Sequence, residues 1–117
     1  MSPVRLIYHM CRREEWDAAR AVGSYAGSSQ DLADGFIHFS TAAQLPESAR
    51  KHRAAQTGLV LLATDPQLLG DALRWEASRR GVLFPHLYGP LPAWAVRWAR
   101  DLPLGADGEH ALPPLED

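Results

Sequence analysis

The sequence contains a single cysteine, Cys11, in 117 residues. No intrachain disulfide can form, and a Cys-rich zinc site is excluded. A basic excess is also lacking: 12 Lys and Arg stand against 14 Asp and Glu, a formal net charge of -2. Tight binding to nucleic acid without sequence preference normally rests on a basic surface, so strong nucleic-acid binding is not expected. Long apolar runs are absent too. The longest, residues 59–63, falls far short of the roughly 20 residues that cross a bilayer as a helix. The opening Met-Ser-Pro-Val-Arg starts no apolar signal core, and the expected location is the cytoplasm with no membrane partner. There is no internal repeat. What remains is one domain's worth of chain. Hydrophobic residues make up 46% and charged residues 22%, which is ordinary globular usage and excludes disordered, collagen-like and coiled-coil chains.

The patterning predicts a mixed α+β domain of about six short strands and two or three helices. Residues 3–9 alternate, with Val4, Leu6 and Tyr8 on one face and Arg5, Ile7 and His9 on the other. Residues 13–22 read as a helix with Trp16, Ala19 and Val22 on one stripe, acids in its first turn and Gly23 at its end. Residues 24–34 are polar and without period, a long loop. A second strand over 35–40 places Phe36, His38 and Ser40 together, with Ile37 and Phe39 opposite. Thr41 to Gln44 fits a capping box ahead of a helix that runs from Pro46 to about Ala54. Residues 59–64 are apolar throughout, as in a strand covered on both faces. Asp65-Pro66 opens a short turn that Gly70 closes. Strands follow over 73–77 and 82–88, joined by a turn at Arg79-Arg80-Gly81. Pro85 marks the second of these as an edge or a bulge. Residues 95–102 close the domain, with Val96 and Trp98 expected to be buried. Residues 1–102 form the domain, and 103–117, with three prolines, two glycines and four acids, a loosely held tail.

The histidines are the informative feature. Three of the five sit inside otherwise apolar strand segments: Ile7-Tyr8-His9, Phe36-Ile37-His38-Phe39-Ser40 and Phe84-Pro85-His86-Leu87-Tyr88. Burying a polar ring without a partner costs about 1–3 kcal/mol. A backbone-bonded histidine in the core or at an edge accounts for any one of them, and convergence on a polar cleft accounts for all three. Glu76 follows the large aromatic Trp75, where a raised pKa would suit a general acid or base; a solvated charge on a strand face is the plainer reading. Ser40 shares a side with His38 and could contact the same ligand, or simply cap the next helix. Cys11, near a helix start, reads as structural. Three histidines and a carboxylate match a zinc or iron set in type, but no His-x-His or His-Glu-x-x-His spacing supports it, and no metal is expected. The Arg50-Lys51-His52-Arg53 run reads as a solvated helix face, with phosphate contact as the alternative.

Tyr8-His9, Trp16, Asp34-Gly35-Phe36-Ile37-His38-Phe39-Ser40-Thr41, Trp75-Glu76 and Phe84-Pro85-His86-Leu87-Tyr88-Gly89 together resemble the bacterial family catalogued as Domain of Unknown Function 952, which brings no activity. More distantly, the order of features resembles the catalytic lobe of RNA 2′-phosphotransferases, which have the ADP-ribosyltransferase fold. In that lobe a strand ending Tyr-His-Gly-Thr is followed by a helix, a long loop, a His-x-Leu-Ser strand, a helix and an apolar strand. Tyr8-His9-Met10-Cys11, His38-Phe39-Ser40 and residues 59–64 would occupy those places. The resemblance implies a core of two short sheets with flanking helices, NAD as a possible cofactor, and His9 as the residue that holds its ribose. Met10 stands where the family pattern has glycine, and the arginine-histidine pair of the phosphotransferases' extra lobe has no counterpart, so removal of RNA 2′-phosphates by that route is not expected.

Three functions stay open. One is an NAD- or nucleotide-binding enzyme of ADP-ribosyl-transfer type, with His9, His38, Glu76 and His86 catalytic and Tyr8, His9, His38 and Ser40 holding the cofactor. Another is a small-molecule or nucleotide binding module without chemistry. The third is a histidine metal-site hydrolase.

Overall fold

The computed structural model describes residues 4–78 and 80–116. The parts of the expected first strand and of the 79–81 turn that fall on Pro3 and Arg79 lie outside the described residues. Among the described residues eight strands form three small antiparallel sheets, with three α-helices between them. β1 (Ile7–Arg12), β4 (Leu59–Thr64) and β8 (Val96–Leu102) make the first sheet, with β4 in the middle. All six residues of β4 are buried, because both faces of this sheet are covered. On one face Ile7, Cys11, Val60 and Leu62 pack against Trp16 and Ala19 of α1 (Arg13–Val22). On the other, Tyr8, Met10 and Leu61 pack against Leu45 and Ala49 of α3 (Leu45–His52). The period-2 alternation of β1 thus divides the core in two.

Local signals set several boundaries where the sequence predicts them. Gly23, in the left-handed region at φ 94°, ends α1. Thr41 and Gln44 exchange backbone-to-side-chain bonds of 3.0 and 3.3 Å ahead of α3. Val22 departs from the expected stripe and is 79% exposed, because six residues beyond Trp16 a helix has turned by roughly 240°, off the buried face.

Two expectations are corrected. Residues 24–34 are not one loop: β2 (Ser24–Tyr25) pairs with β7 (Leu91–Pro92), and α2 (Ser29–Asp34) follows. Ser28 caps α2 and Asp31 returns the bond, a reciprocal box that stabilises a short helix lacking an apolar stripe. The other concerns Pro85. β3 (Ile37–His38), β6 (Leu83–Leu87) and β5 (Leu73–Ala77) form a sheet in the order β3-β6-β5, so the proline lies in the central strand. Its carbonyl accepts from the Phe39 N–H at 3.0 Å. Its missing N–H falls on that same side, just where the chain leaves β3 so that Ser40 can bridge Tyr8 on β1. One segment, residues 37–40, therefore joins the two three-stranded sheets.

The tail also differs from expectation. Glu116 takes a 2.7 Å bond from the Tyr8 hydroxyl on its carbonyl and returns one of 2.9 Å through its N–H. Leu112 and Leu115 pack on the second core cluster. Trp98 is half-buried, its ring 5.9 Å from that of Tyr8. Among the described residues no helix is long and apolar enough to cross a membrane.

Candidate functional site

His9 projects from β1 into the first core cluster and is 4% exposed. Its Nδ1 lies 2.6 Å from the His38 carbonyl, which can only accept, so the proton sits on Nδ1. Nε2 then accepts from the Tyr25 hydroxyl at 2.8 Å. Burial lowers the His9 pKa, although Asp31 and the His38 carbonyl act the other way. Both nitrogens of the neutral ring are thus satisfied inside the protein.

Asp31, at the third position of α2, is 3% exposed. The Ser28 N–H donates to its Oδ2 at 2.7 Å, and the His38 N–H to its Oδ1 at 3.2 Å. The His38 ring adds Nδ1 at 2.6 Å from Oδ1, and His9 Nε2 stands 3.6 Å from Oδ2. Burial by itself would raise this carboxyl. The bonds from His38, the electrostatic influence of the His9 ring and the backbone N–H of Ser28 outweigh it and hold the group at about 2.

His38 is the point where the buried network reaches solvent, with a side chain 40% exposed. Its Nε2 lies 3.1 Å from Asp34 at the end of α2. Across the sheet it is registered against His86 of β6, ring centroids 5.6 Å apart and edge-on. His86 is held in turn, Nδ1 lying 2.8 Å from Glu76 Oε1, and the Tyr88 hydroxyl donates to that same oxygen at 2.7 Å. Phe36 stacks on His86 at 4.1 Å and meets His38 at 4.5 Å. The Arg74 guanidinium lies over the Tyr88 ring at 4.9 Å.

The expectation for Glu76 is reversed. Trp75 projects from the opposite face of β5, so no apolar wall raises the carboxyl. Hydrogen bonds from Tyr88 and then His86 lower it instead, and the same Tyr88 bond raises the phenol. Glu76 is set up as an ionised acceptor rather than an acid.

His9 with His38, and Glu76 with His86, therefore form two hydrogen-bonded groups that meet where the His38 and His86 rings approach to 5.6 Å. Tyr8 and Ser40 do not join them. The Tyr8 side chain lies in the second core cluster, and Ser40 donates to Ser48 of α3 at 2.9 Å. Met10 belongs to that cluster too, so its side chain stays off the His9 face. Cys11 is fully buried, its thiol pushed up to about 12 chiefly by burial and then by Glu15. Arg53 donates to the Met10 carbonyl at 2.9 Å and Arg50 faces Glu109 at 3.8 Å, which gives the basic run structural partners. Two surface depressions of about 250 Å3 are lined by other residues; within the histidine group His38 reaches solvent most, the His86 side chain is 16% exposed and His9 is buried. Among the described residues no three His, Cys, Asp or Glu side chains are arranged to hold a metal ion.

Sequence reasoning missed Asp31 and Tyr25. For Asp31 a signal existed: Ser28-x-x-Asp31 followed by Gly35 carries the cap-and-stop pattern of a short helix. For Tyr25, alone in a polar stretch, there was none.

The overall fold is shared with solved structures. Protein CC0527 from Caulobacter crescentus, in its crystal structure, is 52% identical, with a TM-score of 0.87 over 91% of this chain and 93% of that one. Its solution NMR structure gives 53% identity and a TM-score of 0.80 over 89% and 90%. Among curated proteins, none matches. The family model described as "Protein of unknown function (DUF952)" matches residues 10–99, a span that holds α1, α2 and the whole β3-β6-β5 face, and the chain belongs to that family.

Proposed function

We propose that the face bearing Phe36, His38, His86 and Tyr88 binds a nucleotide-type ligand, and that the protein is an enzyme of ADP-ribosyl-transfer type on an ADP-ribosyltransferase-like core. The observation that carries the reading is the meeting of His38 and His86 at 5.6 Å, each imidazole held at Nδ1 by its own carboxylate. Oriented imidazoles give a ligand donors or acceptors at fixed places. Arg74 beside them suits a phosphate. Phe36 and Tyr88 add flat apolar surface.

NAD fits this donor set: aromatic rings for a base or nicotinamide, imidazoles for ribose hydroxyls, a cation for the pyrophosphate. When bound, NAD supplies the ADP-ribosyl group. His38 and His86 hold and orient the ribose, and ionised Glu76, fixed by Tyr88 and His86, places negative charge beside the reacting sugar. His9 supports the site from behind, since its Nδ1 holds the His38 carbonyl. A binding module without chemistry is the second reading. It is favoured by the double engagement of Glu76 Oε1, which ties up part of the carboxylate that chemistry would need.

Calorimetry or ligand-observed NMR with NAD, ADP-ribose and AMP tests the proposal. The parent protein is expected to bind at least one of them. His38→Ala and His86→Ala should each weaken binding about tenfold, near 1.4 kcal/mol, the scale of one lost polar contact. No binding by the parent at millimolar ligand overturns the reading.

A further inference from the structure

We propose that Asp31 is the positioning residue of this site: its buried carboxylate fixes the orientation of the His38 ring and places the proton of the neutral ring on Nδ1. The inference rests on reading the His38–His86 face as the site.

Few carboxylates are buried as deeply as Asp31, and a buried carboxylate must be bonded on all sides to be tolerated. It is met by the Ser28 N–H, the His38 N–H and the His38 ring. This is more than a helix cap needs, since the cap alone uses only the Ser28 bonds. The two ring nitrogens of His38 also differ in kind. Nδ1 faces Asp31, which is buried. Nε2 faces Asp34, whose side chain is 36% exposed and which also accepts from Gln30 at 2.9 Å. The buried contact is therefore the permanent one and the exposed contact the exchangeable one. A ligand hydroxyl can take the place of Asp34 at Nε2 without disturbing Nδ1.

Which nitrogen of an imidazole carries the proton is set by the bond its other nitrogen makes. With Asp31 accepting at Nδ1, the neutral ring left once a ligand displaces Asp34 presents its Nε2 lone pair to the ligand face; while the Asp34 carboxylate stands at Nε2, that nitrogen donates as well. His86 repeats the arrangement, with Glu76 at its Nδ1. A carboxylate that orients a histidine without touching the reacting atoms is a known division of labour, and an isosteric amide in its place leaves the geometry but loses the tautomer.

Long-range proton–nitrogen NMR of labelled protein, at a pH where the rings are neutral, reads the tautomer directly. In the parent, His38 should carry its proton on Nδ1. Asp31→Asn should shift His38 toward the Nε2-protonated form and leave the His86 signals in place, whereas Asp34→Asn should keep the proton on Nδ1. Asp31→Asn should also weaken NAD or ADP-ribose binding about tenfold. If Asp31→Asn does not fold, the parent spectrum decides, and a neutral His38 protonated on Nε2 overturns the assignment. A folded Asp31→Asn protein with an unchanged His38 pattern overturns it as well. A tautomer shift in a protein that binds no nucleotide would sustain Asp31 and remove the nucleotide reading instead.

Discussion

His38 and His86 are direct cross-strand partners, their rings 5.6 Å apart and edge-on, and each leans its Nδ1 on a carboxylate from a different element. Asp31 comes from α2 and Glu76 from β5, so the pair is clamped from both sides of a three-stranded sheet. The consequences below are each open to measurement.

His9→Ala should destabilise the fold. It removes the partner of the buried Tyr25 hydroxyl and of the His38 carbonyl, at a cost of about 1–3 kcal/mol per unsatisfied group. Thermal melting checks this, and an unchanged midpoint would show that water or a neighbour replaces the ring.

Acidification should weaken the protein. Asp31 is held at about 2, below the ordinary 3.8. It therefore stabilises the fold above the ordinary value, and that contribution is lost as pH falls toward 2, about 2 kcal/mol in all. The lowered pKa of His9 acts in the same sense at higher pH. The unfolded chain takes up a proton near 6.5 that the buried ring refuses, so stability falls as pH drops below that value. Melting midpoints measured from pH 7.5 to 3 should decline throughout; a flat profile contradicts both assignments.

Glu76→Gln should let Tyr88 ionise at lower pH. The hydroxyl's bond to Glu76 is the leading cause of its raised pKa, and an amide no longer opposes the phenolate with a charge. Spectrophotometric titration, with Tyr88→Phe identifying the transition, provides the check. A transition that stays where it is would mean that the bond does not persist in solution.

Removing residues 106–117 should lower the melting midpoint by about ten degrees, near 2 kcal/mol for a domain of this size. The loss comprises the Tyr8–Glu116 pair of bonds and the burial of Leu112 and Leu115. A truncated protein that melts with the parent would show these contacts to be dispensable.

Gly27→Ala should disturb the site from a distance. Gly27 has φ 105°, and an added Cβ would stand 2.7 Å from the Asp31 Cβ and 3.3 Å from Ile37. Left-handed strain plus the clash should cost about 1–3 kcal/mol. The His38 ring signals should move with it, and a variant as stable as the parent would show that the 24–28 segment adapts freely.

What the sequence determined by itself is whatever repeats over a few residues. The alternation of β1, the unbroken apolar run of β4, the stripe of Trp16 and Ala19 with Gly23 behind it, and the burial of Ile37 and Phe39 opposite His38 are all local patterns with one low-energy outcome. The same patterns placed three histidines where polar rings need partners. Which partners they have was decided only by the tertiary structure. Asp31 lies in a stretch without apolar period, on a helix of six residues that stands by capping and by its bonds to β3. The pairing of His38 with His86 follows from strand register across two distant parts of the chain. Pro85, an edge signal in the sequence, fits a central strand because β3 is short enough to leave before its missing N–H is needed. Glu76 beside Trp75 suggested a raised pKa, yet neighbours along a strand face opposite ways, so its surroundings are set by His86 and Tyr88 across the sheet.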